Sequence, residues 1–410
     1  MKLDTNRVLR LQGKTQHYAW GGKSFLPQFL KLPNPEEKPF AEYWLGAHEI
    51  APSILLLDSD KSVFLNDYIR KFPLETLGHY VAEKFGRLPY LLKILDVKDM
   101  LSIQVHPSKK NAEHEYAEEN KRGVDVHAAN RNYRDDNHKP ELMLALSEFW
   151  LLHGFKSPGP FARILKETEE LNFLSAVFER GAYQEVYKTV MEIDQVEVNA
   201  KLQPLLDRIV PAYQKGLLKK TDENFWAARA AMTFNSPGFI DRGIFSIYFF
   251  NLLRLYPGQA VFQDAGILHA YLEGQNVEIM ASSDNVLRGG LTSKWIDIKE
   301  LLKHVNFQAT DPYIFQGTKK TKFLQVFSTP APDFELGKLV LEKGDLVEYT
   351  SISAEIFILW SGSLTMQENP HNEFSIKGGE AFISFDGARL QLKALADTVV
   401  YKASVPLIGE

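Results

Sequence analysis

Cysteine is missing from all 410 residues, which excludes disulfides, thiolate metal ligands and cysteine nucleophiles together. A transition-metal site in this chain must therefore draw on His, Asp, Glu or amide oxygen. Long apolar runs are missing too. The most apolar stretches, 88–95 and 244–255, fall well short of the ~20 residues that cross a bilayer. Residues 1–20 mix charged and polar side chains and hold no apolar signal-peptide core. Nor is there a basic block: 47 Lys and Arg stand against 52 Asp and Glu, a formal charge of −5, so nothing points to nucleic acid. These absences set the expectation of a cytoplasmic protein with neither a nucleic-acid nor a membrane partner, and the lack of disulfides fits a reducing compartment. A small anionic ligand is still allowed, because local Lys and Arg make a site and net charge does not.

What is present is ample core material. At 45% hydrophobic and 12% aromatic residues, the chain can bury two or three cores without staples. From 40 to about 154, short apolar stretches are cut by turn residues. Over 101–106, Leu101, Ile103 and Val105 alternate with Ser102, Gln104 and His106, the period of a strand with one oily and one polar face. Between the breaker clusters Ser157-Pro158-Gly159-Pro160 and Asn235-Ser236-Pro237-Gly238 the spacing turns helical, with segments starting at Leu165 and covering 183–191, 198–213 and 222–232. Strand character is expected to return at Ile244 and run to about 304, with a helix over 298–304. Strands are then expected over 323–328, 338–341, 355–360, 381–385 and 398–403. Many short strands with Gly and Asp turns imply a sandwich or jelly roll. The fold class expected is mainly β with an α-helical insert.

Three segments could carry metal chemistry. Residues two apart on a strand face the same way, so Gln104 and His106 project side by side. The polar stretch from Tyr133 leads into a strand through Pro140, which holds Lys139 extended and lets Lys139 and Glu141 share a face. The segment from Pro257 turns at Asp264-Ala265-Gly266 and sends His269 into the next strand, a spacing that resembles the second motif of cupins. Each has a plain alternative: a solvated strand face, a charged turn, a cupin turn without metal. Taken together, Gln104, His106, Glu141 and His269 offer an amide oxygen, two imidazoles and a carboxylate. That set suits Zn²⁺ in an open catalytic site, and Fe²⁺ or Mn²⁺ less decisively. A fourth segment, 273–294, gathers Glu278, Asp284, Asn285, Arg288 and Lys294. Arg288 precedes two glycines that permit close approach of a ligand to the backbone, and its planar fork suits a phosphate or an enediolate oxygen.

With these residues in view the chain resembles the type I phosphomannose isomerases. Residues 133–141 read YRDDNHKPE, which fits the family's Y-x-D-x-N-H-K-P-E signature at every fixed position. Residues 269–294 read HAYLEGQNVEIMASSDNVLRGGLTSK and resemble the second signature. Tyr18-Ala19-Trp20-Gly21, Glu42-Tyr43-Trp44-Leu45-Gly46-Ala47-His48 and Ser102-Ile103-Gln104-Val105-His106-Pro107 also look like family motifs. Two departures stand in the second signature: Gly289 where the family usually has Ala, and Ser293 where it usually has Pro. Both are expected to loosen the Arg288 loop.

The resemblance implies one zinc per chain, held by Gln104, His106, Glu141 and His269, and an active-site arginine at Arg288. It implies a cupin catalytic barrel in two parts, 1–156 and 241–310, around a helical insert at 157–240. A second cupin-like unit would fill 311–410. There the turn around Lys377-Gly378-Gly379-Glu380 has no following His, so that unit is expected to be metal-free. The implied reaction interconverts mannose 6-phosphate and fructose 6-phosphate through an enediolate, which needs a base near neutrality and an electrophile. Glu278 is the first candidate base, then Lys139, then Asp284. Lys294, Ser102 and Arg288 are candidates for the phosphate. Trp20 and Tyr271 are candidates to stack on the sugar, with core packing as the plain alternative. The expected partner is a small sugar phosphate, and the expected state a monomer or weak homo-oligomer. The alternative function is a metal-binding cupin that senses sugar phosphates without turnover. An iron cupin oxygenase is disfavoured by Gln104, and an interaction protein docking through the helical insert leaves both signatures unexplained.

Overall fold

The structure, a computed structural model, describes residues 3–57 and 61–406. The outermost residues of the expected units, 1–2 and 407–410, and residues 58–60 lie outside it. The architecture is mainly β with a helical insert, as expected.

The strands form three sheets. In the nine-stranded sheet, Val8–Gln12 lies between Ala381–Ser384 and Ile54–Leu56, so the first strand of the chain is held by one of the last. Glu355–Ser361 in the same sheet shows how period-2 side chains serve two layers. Phe357 and Leu359 join Leu364, Met366, Ile376, Leu390 and Leu392 of the four-stranded sheet in one core. Ile356 and Ile358 point the other way, into a core shared with Leu45, Leu92, Ile94, Val277 and Ile279 of the ten-stranded sheet.

That ten-stranded sheet positions the candidate ligands. Its longest strand, His269–Ala281, pairs over 274–281 with Tyr90–Val97 and over 276–280 with Glu141–Ala145. A register shift follows between Tyr271 and Glu273, and the first residues of the strand pair with Phe149–Phe155 instead. A strand that changes partners at a bulge turns a sheet corner. Gly274 sits at that corner with φ 129, and a Cβ there would lie 2.6 Å from Glu148 O. The bent sheet encloses Leu95, Val97, Met143, Phe149, Leu151, Val261 and Tyr271. This is the floor of a barrel.

Helices Pro158–Glu167, Ser175–Glu192, Gln195–Gln214 and Glu223–Phe234 make the insert. Gln195–Gln214 starts where Asp194 accepts a hydrogen bond from Glu197 N at 2.8 Å, an N-cap. Tyr183, Tyr187, Leu202 and Trp226 of the insert share one core with Ile103, Val105, Leu152 and Phe155 of the barrel. Each large side chain so buried contributes ~1.5–3 kcal/mol, so the insert is seated firmly rather than tethered.

Several elements differ from expectation. The run from Ile244 starts as a helix, Gly243–Phe249, and only Phe250–Leu255 is strand. All seven helix residues are buried, and an apolar run buried all round has no periodicity to separate helix from strand. Helices Leu65–Lys71, Pro73–Phe85 and Lys109–Lys121 occupy a region read as strands and turns. Within 101–106 only Gln104–Val105 joins a ladder. No helix among the described residues is long and apolar enough to cross a membrane.

Candidate metal centre and substrate pocket

The strand register brings the ligand candidates together before any side chain is considered. Gln104 lies opposite His269 on one side and opposite Arg288 on the other. Glu141 lies opposite Met280, at the far end of the bent strand. The bend carries the two ends of that strand around the barrel mouth, so ligand atoms of His106, Glu141 and His269 all fall within 4.8 Å of one another. All three side chains are buried.

The imidazoles are already set for a cation. His106 Nδ1 is 2.8 Å from Asn285 O, and His269 Nδ1 is 2.9 Å from Ile267 O. A carbonyl can only accept, so each Nδ1 carries the proton and each Nε2 lone pair is free. Both Nε2 atoms point at Glu141, His106 at 3.4 Å from Oε1 and His269 at 3.3 Å from Oε2. His106 Nε2 is buried and makes no hydrogen bond. An orphaned buried lone pair facing a carboxylate is costly unless a cation lies between them. The donor set therefore fits a zinc ion, with Gln104 beside it. Burial, then nearby Lys139, pushes His106 down to about 4, which keeps it neutral, as ligation requires. Burial works to raise Glu141, but Lys139 and the two histidines hold it well below the usual carboxylate range.

Around this centre stands a ring of charged groups. Lys139 Nζ is 3.0 Å from Glu141 Oε1. Glu278 accepts from Lys93 Nζ at 2.9 Å and from Tyr271 OH at 2.8 Å, and burial pushes its carboxyl above the usual range. Glu42 Oε2 lies 3.6 Å from Lys93 Nζ. Asp284 Oδ1 meets His48 Nε2 at 3.2 Å. Burial opposes ionisation of Asp284, but His48, Lys139 and Lys93 outweigh it and hold its pKa down. Beside Asp284 a cavity of ≈ 340 Å³ opens against His48, Arg87, His127 and Arg134, a volume in the range of small-molecule sites. Arg288 and Lys294 lie in reach of each other and of Arg134. Burial, then like charge, lowers the pKa of both, with no carboxylate opposing it. Among the described residues none of these three cations is in an ion pair, and together they make a seat for an anion.

Comparison with known proteins decides the family. Residues 8–158 match the phosphomannose isomerase type I catalytic domain. Mannose-6-phosphate isomerase of Salmonella typhimurium is 33% identical over 384 residues, covering 92% of this chain and 95% of that protein. The chain belongs to the type I phosphomannose isomerase family. The human mannose-6-phosphate isomerase is 31% identical over 432 residues, covering 97% of this chain and 98% of that one. The crystal structure of the Salmonella typhimurium enzyme bound to substrate and a zinc atom superposes with a TM-score of 0.86 at 29% identity, over 98% of this chain and 100% of that chain.

Three candidates remain, Ser102, Tyr271 and Trp20. Ser102 is half-buried beside the Arg288 loop, where Ile103 N donates to Gly290 O at 3.0 Å. Tyr271 is buried edge-on to Phe149, its hydroxyl committed to Glu278 and Gln263. Trp20 packs half-buried on the barrel cluster that contains Tyr271. Its ring stacks 5.8 Å from Tyr18, whose hydroxyl burial pushes up to about 12. The sequence reading gave no site role to Lys93, nor to Tyr18, Glu42, His48 and Arg134, which it quoted only within family motifs. Lys93 had a legible signal, a single lysine in the apolar run Tyr90–Val97, every residue of which is buried. Arg134 stands at a variable place of the first signature, where pattern matching says nothing.

Proposed function

We infer that this chain is a zinc-dependent aldose–ketose isomerase that interconverts mannose 6-phosphate and fructose 6-phosphate. The observation that carries this reading is the His106–Glu141–His269 cluster, with its unsatisfied Nε2 lone pair, in a chain of this family. Gln104, His106, Glu141 and His269 would hold the metal. When bound, zinc supplies a Lewis acid that polarises the sugar's carbonyl oxygen or an ordered water.

The rest belongs to the chain. The substrate is a small sugar phosphate, with its phosphate seated between Lys294 and Arg134, and Ser102 donating a hydroxyl. In the open-chain aldose a base removes the C2 proton, and electrons shift toward O1 to give an enediolate. The proton is then delivered to C1 while O2 becomes the ketone oxygen and its hydroxyl proton passes to O1. Glu278 is the proposed base, its raised pKa bringing a carboxylate closer to neutrality. Lys139 and Asp284 handle the hydroxyl protons. Arg288 neutralises the developing oxyanion. Trp20 packs beside Tyr271, and Tyr271 orients Glu278 through their hydrogen bond.

Turnover of mannose 6-phosphate in deuterated water tests the reaction and its route. Fructose 6-phosphate carrying solvent deuterium at C1 is expected. Conversion with no deuterium over many turnovers would contradict the proton-transfer route, and saturable binding without conversion would favour the sensor.

A further inference from the structure

The loop that carries Arg288 is held in a conformation it would not keep alone. Leu291, three residues on, has φ 54, and Gly290 has φ 127. A leucine in the left-handed region persists only where its surroundings over-determine it. The surroundings here come from outside the barrel strands. The Asp241 carboxylate, 2% exposed, accepts from Leu291 N at 2.8 Å and Gly243 N at 2.7 Å through Oδ1, and from Thr292 N at 3.0 Å through Oδ2. Asp241 is itself fixed from the end of the insert, where its N–H donates to Asn235 Oδ1 at 2.9 Å.

A second prop comes from within the insert. Tyr187, on helix Ser175–Glu192, is fully buried, and its hydroxyl makes no hydrogen bond. A Cβ added at Gly289 would lie 2.5 Å from that hydroxyl. The glycine that departs from the family's usual alanine is therefore not loose space, because Tyr187 fills it. Gly289 N donates to Ile103 O at 2.9 Å, so the loop is gripped between the metal-ligand segment on one side and the helical insert on the other.

We propose that Asp241 and Tyr187 are positioning residues for Arg288, which makes the helical insert part of the substrate site. Asp241 holds the backbone after Arg288 in its strained path, and Tyr187 closes the space at Gly289, so the guanidinium keeps its distance from the metal ligands. The proposal rests on the reading that Arg288 contacts substrate, and it explains why an insert without ligand residues shares its core with the barrel mouth.

Steady-state kinetics of the zinc-loaded full chain test it, with zinc content and melting temperature measured alongside. Asp241→Asn keeps the size of the side chain but turns an amide N–H toward a backbone N–H. It is expected to bind zinc as the parent does and to lose on the order of tenfold in kcat/KM, the scale of a displaced contact group. Independently, Gly289→Ala is expected to lower kcat/KM, and Tyr187→Phe in the same chain to restore it. A merely structural role would lower the melting temperature and the active fraction while leaving KM unchanged and giving no rescue. That pattern would overturn the proposal, as would parental kinetics in both Asp241→Asn and Gly289→Ala. Should Asp241→Asn fail to fold, the Gly289/Tyr187 pair decides alone. Arg288→Ala separates the two readings. If it is impaired while the positioning variants are not, the proposal fails and the role of Arg288 stands. If it is active as the parent, the role of Arg288 fails, and the proposal with it.

Discussion

At the residue scale, His106 shows how a sequence position becomes a candidate ligand. Its Nδ1 is committed to the Asn285 carbonyl, which fixes the tautomer and aims Nε2 at Glu141. Such a partner on the far nitrogen orients the ring and raises its worth as a ligand. His106→Ala removes one of the three clustered donors, and the variant should keep its fold but retain little zinc after gel filtration, by metal analysis. Retention of about one zinc per chain would move the site elsewhere. The signature segments pointed to His106, Glu141 and His269, which the structure brings together, and to Gln104, opposite His269 in the ladder. Lys93 and His48 were less legible, because their importance arises from contacts across strands and loops far apart in the chain, Lys93 to Glu278 and His48 to Asp284. Spacing within one segment cannot report a pairing of that kind.

At the scale of elements, helix Ile298–His304 shows a short helix supporting a signature. Asp297 caps it by accepting from Glu300 N at 2.9 Å. Glu300 Oε1 accepts from the hydroxyl of Tyr133, the first residue of YRDDNHKPE, at 2.7 Å. Burial works to raise Glu300, but His304, Lys303 and Tyr133 bring it down to about 2. A carboxyl lowered on folding stabilises the protein fully above its unfolded value of about 4.3 and loses that contribution as pH falls toward its folded value. Urea midpoints measured from pH 6 to pH 2 should therefore fall more steeply for the parent than for Glu300→Gln. Parallel curves would contradict the assignment. This helix, with Gln195–Gln214 and Glu223–Phe234 of the insert, was legible because apolar residues recur at helical spacing, whereas Pro158–Glu167 starts inside a cluster read as a breaker. Lys109–Lys121 was not legible, since Ala112 and Glu119 are its only buried residues. A helix polar nearly all round leaves no stripe to read. Pro73–Phe85 was hidden for another reason, a break at Gly78 with φ 74 that interrupts the period.

At the scale of the molecule, the chain closes on itself. Val8–Gln12 is an interior strand of the nine-stranded sheet, bonded to Ala381–Ser384 on one side and Ile54–Leu56 on the other. Its side chains enter both cores, Val8 toward the four-stranded sheet and Leu9 and Leu11 toward the barrel. Deleting residues 1–12 should open an interior edge and yield insoluble or unfolded protein by circular dichroism. A soluble, cooperatively folding truncation would show that the strand is dispensable. Sequence reasoning recognised the β character of the last hundred residues, but not that the first strand completes their sheet. Pairing between positions more than 360 residues apart leaves no local pattern.

The central claim joins the barrel, its bent strand and the cluster at its mouth into one zinc-dependent isomerase. It is tested most directly by a coupled assay of fructose 6-phosphate formation from mannose 6-phosphate on purified protein, as prepared, after chelation, and with zinc restored. The account predicts activity that disappears with the chelator and returns on addition of zinc. Activity unaffected by complete metal removal, or none in zinc-replete protein, would contradict it.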